Sequence, residues 1–394
     1  ACIEHAARKE PQRANLDRGA IGAVVELTDR FLPYRAFPGK AVRLFEELRA
    51  SAERAHHAEA KRLRAEDVYA LFSAQTGVPE LLLRDDVAWR RERARAFFAR
   101  RIVGQADAVD RLVDTLAVVK AGLAPGDKPL ASFLFAGPTG VGKTALCRAL
   151  AELLFGSAER LVRFDMSEMA DPGAATRLVH GSASGEGQLT SAVRQQPFCV
   201  VLLDEIEKAH PSVFDLLLGV LGEGRLTDAR GRTAYFHDAI VVMTSNLGTR
   251  HRSRAVGIDP PAVDEGARYL EAVEGWFRPE LVNRIDRVIP FAPLSRGEIR
   301  AIAGLTVERL AMRRGLVELG ATLEVSEAAL DALSDGGFEE AYGARALRRH
   351  LEDALVAPLA RALGPLGAAA RNARLVVRGE RDPAPEGGRL HAET

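Results

Sequence analysis

The 394-residue chain lacks most of the features that would place it in a specialised class. Its three cysteines, Cys2, Cys147 and Cys199, show no paired spacing, so neither a disulfide framework nor a cysteine metal site is expected. Cys147 and Cys199 lie in apolar surroundings and read as buried thiols. No run approaches the ~18 apolar residues of a membrane span. The opening "ACIEHAARKE" lacks the apolar core of a signal peptide, so the expectation is a cytoplasmic protein with no membrane partner. An excess of one charge is missing too: 54 Lys+Arg against 54 Asp+Glu leaves no global field to draw nucleic acid. The locally basic run "WRRERARAFFARR" (Trp89 to Arg101) reads as a solvated helix face. One gap is local. No Phe, Tyr or Trp occurs between Phe164 and Phe198.

What is present is ordinary globular material, 47% apolar and 27% charged, long enough for two or three domains. Residues 1–80 carry apolar positions at spacings of three and four and read as an all-helical segment, punctuated by Pro33, Pro38 and Gly39. The charged stretch Arg84 to Arg101 reads as a connecting helix. From about Ile102 the short apolar runs "SFLFA", "LVRFD", "CVVLL" and "AIVVM" alternate with helical stretches, the pattern of a parallel sheet covered by helices on both faces. The expected fold is therefore α/β: an αβα domain over 81–292, then a mostly helical lid over 293–380 with two short strands, "ATLEV" and "ARLVV". Residues 381–394 read as a flexible tail.

The chemistry begins at "FLFAGPTGVGKTALCRALAELLF", a strand, a glycine-rich turn and a helix. Across Gly137, Pro138, Thr139, Gly140, Val141, Gly142, Lys143 and Thr144 the backbone can wrap so that its N–H groups converge on phosphate oxygens. Lys143 can reach the terminal phosphates of ATP, and the Thr144 hydroxyl suits Mg²⁺. The following helix points its positive end at the same anion. The second half of the site is "CVVLLDEIEKAH", a buried strand that delivers Asp204 for direct or indirect Mg²⁺ coordination. Glu205 is placed to act on the attacking water, as general base or as positioner. A third strand, "AIVVMTSN", ends in Asn246, whose amide could help hold that water.

With these motifs in place the chain resembles the AAA+ ATPases of the Clp/ClpB unfoldase group, in particular their second ATPase module. The resemblance is carried by "RIVGQADAV", "GPTGVGKT", "VRFDMSE", "VVLLDEIEKAHPSVFDLLLGVLGEGRLTDARGRT", "VVMTSNLG", "FRPELVNRIDRVIPF" and "YGARALRRH", in that order from Arg101 to His350. The segment "LTDRFLPYRAFPGKAVRLFEE" resembles the lid that ends the group's first module. No phosphate loop of that first module is present and the first residue is Ala, which suggests an excerpt or a shortened paralogue. The resemblance implies roles that composition does not give. Val103 corresponds to the adenine box, Arg284 to the arginine finger that reaches a neighbouring subunit's nucleotide, and Arg345 to the lid arginine. It also implies self-association into a ring, a hexamer, acting on unfolded or misassembled proteins.

The same resemblance turns the aromatic gap into a question. In the group, the segment between "MSE" and "GQLT" lines a central pore and carries a Gly-aromatic-Val-Gly tip that grips polypeptide. This chain reads "MADPGAATRLVHGSASGEGQLT", shorter and with Ser182, Ala183 and Ser184 where a ring would stand. An aromatic side chain offers large contact area at low entropy cost, which these residues cannot match. The second pore segment "GEGRLTDARGRT" is intact and is expected to offer Arg225 and Asp228 near the axis. Two functions follow: an ATP-dependent unfoldase or remodelling chaperone with an atypical grip, or an ATP-driven assembly switch that threads nothing. Val256, Gly257 and Ile258 resemble a tripeptide by which some members dock a ClpP-type peptidase, a further possible partner.

Overall fold

The computed structural model describes residues 3, 5, 15–32, 34–55, 62–181, 186–249, 265–339, 341–365, 371–379 and 391–393. Its N-terminal part is mostly helical because its apolar residues recur on one face, but the all-helical expectation needs a correction: Asn15–Leu16 and Arg62–Leu63 pair as two short parallel strands. In α1 (Arg18–Phe31) the buried positions Ala20, Ala23, Val24, Leu27 and Phe31 form one stripe, and the Asp17 carboxylate caps the helix by accepting from the Ala20 N–H at 2.7 Å. With α2 (Gly39–Ala55) and α3 (Ala65–Thr76), it makes a small bundle. α3 ends where Gly77 adopts φ 73°. Phe31 joins this bundle to the rest of the chain, its ring 5.7 Å from Phe72 and 5.0 Å from Phe198. Tyr34 adds a second junction, accepting the Tyr235 N–H at 2.8 Å.

After α4 (Ala106–Lys120) comes a five-stranded parallel sheet. Its strands are β1 (Ala131–Ala136), β2 (Leu161–Asp165), β3 (Val200–Asp204), β6 (Ile240–Ser245) and β7 (Arg287–Pro290), in the spatial order β2-β3-β6-β1-β7. β1, β3 and β6 are buried at every position, as expected of strands covered on both faces. The first four correspond to the apolar runs read in the sequence, and "RVIP" is the fifth. In α5 (Lys143–Phe155), Leu146, Leu150 and Leu154 are buried, each contributing roughly 1.5–3 kcal/mol relative to exposure. α6 (Gln188–Gln195) buries Leu189 and Val193 on the other face.

α7 (Pro211–Glu223) leads into a two-stranded antiparallel hairpin, β4 (Arg225–Thr227) and β5 (Thr233–Tyr235). The C-terminal part contains α8 (Arg296–Ala311), β8 (Thr322–Val325), α9 (Glu327–Gly336), α10 (Ala344–Leu351) and β9 (Arg374–Arg378). The expected strands "ATLEV" and "ARLVV" pair with each other in parallel. The expected tail needs a correction: its residues His391–Glu393 form a further strand, β10, in parallel register with Val376–Arg378, because the edge of β9 offers unpaired backbone groups. Among the described residues no helix is long and apolar enough to cross a membrane.

Candidate nucleotide site

β1 ends between β6 and β7, the point in the sheet order where neighbouring connections diverge and a crevice opens at the carboxyl ends of the strands. The glycine-rich turn fills this point. At Gly137 (φ 152°) a Cβ would strike the Phe291 carbonyl, and at Gly140 (φ 80°) it would strike the Tyr342 carbonyl, so only glycine fits either position. The turn is held from behind by Gln105, whose Nε2 donates to the carbonyls of Ala292 (2.8 Å) and Val141 (3.3 Å) while its Oε1 accepts from Ala292 N–H (3.1 Å).

Lys143 is buried, its Nζ donating to the carbonyls of Gly137 (2.5 Å), Pro138 (3.0 Å) and Ser245 (3.1 Å) and to Asn246 Oδ1 (2.8 Å). Among the described residues it makes no ion pair. Burial pulls its pKa down to about 8; the carboxylates of Glu207, Asp204 and Glu205 oppose that fall, and Arg345 adds to it. An ammonium this poorly neutralised, at the N-terminus of a 13-residue helix, fits an anionic phosphate chain.

The acids lie across from it. Asp204 is buried, with Oδ1 accepting from the Thr244 hydroxyl at 2.5 Å and Oδ2 paired to Arg163 at 2.7 Å. Glu205 follows in a left-handed conformation (φ 58°, ψ 52°), unusual for a side-chain-bearing residue and stabilised here by its N–H donating to Thr244 Oγ1 at 3.0 Å. One Glu205 oxygen accepts from Asn246 Nδ2 at 3.4 Å, and the other pairs with Lys208. The Thr139 hydroxyl also reaches Asn246 Oδ1, at 3.3 Å. Asn246 is thus the hub where the glycine turn, Lys143 and Glu205 meet.

The lid closes over this hub. Ala344 N–H donates to the Gly140 carbonyl at 3.0 Å, and α10 starts there with Arg345 in its first turn. Between lid and turn opens a cleft of about 570 Å³, lined by Lys143, Thr144, Asp204, Glu205, Asn246 and Arg345 among others. Its far wall is apolar and comes from the lid, with Ile302, Val307, Leu347 and Leu351. Thr144 and Asp204 bring a hydroxyl and a carboxylate to the same cleft, hard oxygen donors that fit Mg²⁺.

Val103, expected at the adenine, is not brought to the cleft, and Arg284, expected to act on a neighbouring subunit, lies outside its own. Val103 is half-buried, and its neighbours Ile102, Gly104 and Gln105 line a different cavity of about 820 Å³. Arg284 is exposed on the far side, its guanidinium donating to the Leu218 carbonyl. Three participants escaped the sequence reading: Gln105, the apolar lid wall, and Glu207, which accepts the Asn246 backbone N–H at 3.0 Å. Only the position of Glu207, two residues beyond Glu205 in a turn after the strand, could have flagged it.

The pore segments fare differently. Ser182, Ala183 and Ser184 lie outside the described residues, as do Val256, Gly257 and Ile258. Asp228 was expected to face the axis, and the structure corrects this. Its side chain is buried and saturated: Oδ2 takes Arg194 (2.8 Å) and Arg232 Nε (2.9 Å), while Oδ1 takes the backbone N–H groups of Arg230 and Arg232 (both 2.9 Å). These donors, Arg194 foremost, hold its carboxyl well below the usual carboxylate range. Arg232 goes on to Glu186 at 2.6 Å, tying the hairpin to the far end of the first pore segment.

Fold, glycine turn and converging acids define a P-loop ATPase of the AAA+ class. Residues 128–288 match the AAA domain (Cdc48 subfamily), and residues 294–371 match the C-terminal, D2-small domain of ClpB protein. Chaperone protein ClpB of Vibrio vulnificus (strain YJ016) is 41% identical over 304 residues, covering 75% of this chain and 35% of that protein. ClpB of Gloeobacter violaceus is 43% identical over 307 residues, covering 76% and 34%. A closed-state reconstruction of Hsp104 with ATPγS and FITC casein superposes with a TM-score of 0.73 at 28% identity, covering 90% of this chain and 62% of that one. The S. cerevisiae Hsp104:casein complex in its extended conformation gives the same TM-score, 0.73. The chain belongs to the AAA+ ATPases of the ClpB/Hsp104 type. It spans about a third of the length of the ClpB relatives it matches, 35% for the Vibrio protein. These relatives are named as ClpB chaperones, which gives no support to a ClpP-type peptidase partner, and that expectation is withdrawn.

Proposed function

We propose that this chain hydrolyses ATP in a ring of like subunits, a hexamer by analogy with its group, and uses the cycle to remodel protein clients. The observation that carries the reading is the convergence of Lys143, Glu205 and Thr139 on Asn246 beneath a lid that brings in Arg345. Lys143 and the N–H groups of the glycine turn bind the phosphate chain. Glu205 and Asn246 orient the attacking water, with Glu205 taking up its proton. Mg²⁺, held by Thr144 and Asp204, would neutralise phosphate charge as a Lewis acid. Arg345 acts from the lid of its own subunit. Arg284, exposed and away from its own cleft, acts on the neighbour's nucleotide, which makes hydrolysis depend on assembly. The adenine lies against the apolar lid wall, Ile302, Val307, Leu347 and Leu351.

The presence of casein with Hsp104 in the superposed structures supports polypeptide clients for this chain as well. A cytosolic setting fits the two buried free thiols, Cys147 and Cys199. The test is ATP turnover per subunit against protein concentration, with Mg²⁺ present. A steep rise with concentration is the expected result, and a flat, near-zero rate despite nucleotide binding would refute the assembled site. The second reading, a switch that threads nothing, is favoured by one observation: the Asp228 network spends the charges of the second pore segment on each other. Translocation of a labelled unfolded protein would decide against the switch.

A further inference from the structure

Asn246 is fixed from its side chain by Lys143, Thr139 and Glu205, but its backbone is fixed by a residue outside that set. Glu207 sits in the short turn Ile206–Lys208 that follows Glu205, and its Oε1 reaches over to accept the N–H of Asn246 at 3.0 Å. This bond closes a loop between the two strand ends that supply the water-orienting pair, β3 through Glu205 and β6 through Asn246. The other oxygen, Oε2, is buried and has no hydrogen-bond partner among the described residues. A buried carboxylate oxygen without a donor costs stability, so the fold bears a penalty to keep an acid at this position. Glu207 also lines a small groove of about 330 Å³ with Phe214, Leu218, Trp276 and Phe277.

We propose that Glu207 is a positioning residue for hydrolysis, setting the Asn246 amide relative to Glu205 through its hold on the Asn246 backbone N–H. The inference rests on the ATPase reading above and deepens it. Glu207 acts through Asn246, so its removal should slow turnover while leaving nucleotide affinity unchanged. The size expected is about tenfold in kcat, the scale of one positioned hydrogen bond in a site of this kind.

The experiment uses the full chain with Glu207→Ala, Glu207→Gln and Asn246→Ala, alone and combined. Hydrogen exchange of the Asn246 amide is followed without nucleotide, and kcat, KM and the affinity for a fluorescent ATP analogue are measured with Mg²⁺. E207A should speed exchange of the Asn246 amide and lower kcat with affinity intact. E207Q keeps a carbonyl acceptor and should restore both. Adding E207A to N246A should cost nothing further, because the two act as one unit. If E207A does not fold, Glu207→Met keeps the volume without the acceptor and carries the same comparison. Unchanged exchange in E207A, failure of E207Q to rescue, or multiplicative losses in the double variant would each overturn the inference. Full turnover in N246A would remove Asn246 from the water-orienting pair and overturn the inference with it, whereas no turnover in the unmutated chain despite nucleotide binding would overturn the ATPase reading beneath it, so the two failures are distinguishable.

Discussion

The nucleotide cleft and the Arg225–Tyr235 hairpin both gather basic side chains, and they treat the charge in opposite ways. In and against the hairpin, Arg225, Arg232 and Arg194 of α6 each have a carboxylate within 3.2 Å, and Asp228 is saturated by donors. In the cleft Lys143 is buried against neutral carbonyls and one amide, with Arg345 adding positive charge from the lid. Charge that is cancelled internally fixes a shape. Charge left open in a buried place costs stability and gains a use only when an anion arrives. Open charge thus marks the cleft, and cancelled charge marks the part that holds a loop.

The largest effect should come from removing the open charge. Lys143→Ala is expected to lower ATP turnover by at least ~10²-fold and to weaken nucleotide affinity, read by direct binding. pH sharpens the same point. The ammonium form attracts phosphate, so affinity should hold below pH about 8 and decline above it. For stability the sign runs the other way. The folded pKa of about 8 lies below the unfolded 10.5, so the unfolded chain binds more protons in that window and this lysine's penalty is relieved as pH rises through it. A pH-independent affinity between 7 and 9.5, values spanning about 8, would break the distinction between the regions.

Arg284→Ala comes next, with turnover down roughly 10³-fold and affinity retained, since a trans-acting arginine stabilises the reacting state rather than the bound one. Mixing E205Q subunits with R284A subunits should restore part of the rate, because Arg284 of the first can serve Glu205 of the second. The smallest effect belongs to the closed network. Asp228→Asn should change basal turnover by no more than about twofold, while faster proteolytic nicking at Ala229–Gly231 reports a loosened hairpin. A strong turnover defect in D228N would show that the hairpin is wired to the cleft after all.

Much of the fold was legible because it rests on local patterns. Four of five sheet strands, α1 and the α5 stripe follow from apolar spacing, and the glycine turn between strand and helix marks where phosphate is expected. The fifth strand, "RVIP", carries too few apolar residues to stand out, and its place beside β1 depends on Asp286, whose carboxylate takes the Ser132 N–H at 2.7 Å. The site was legible only where a motif is contiguous. Gln105 anchors the turn to Ala292 across 187 positions of sequence, and no spacing rule connects them. Asp228 misled for the complementary reason: a charged residue in a Gly-rich turn reads as exposed, and only the folded chain brings Arg194 to bury it.

The seating of Gly140 against the Tyr342 carbonyl and Ala344 N–H has a temporal consequence. The lid rests on the glycine turn at hydrogen-bond distance, 3.0 Å, so lifting the lid parts that contact. On the proposed reading exchange would be a hinge event, and the dwell of ADP would be set by how often the lid lifts. A ring built from such subunits would keep time by its lids.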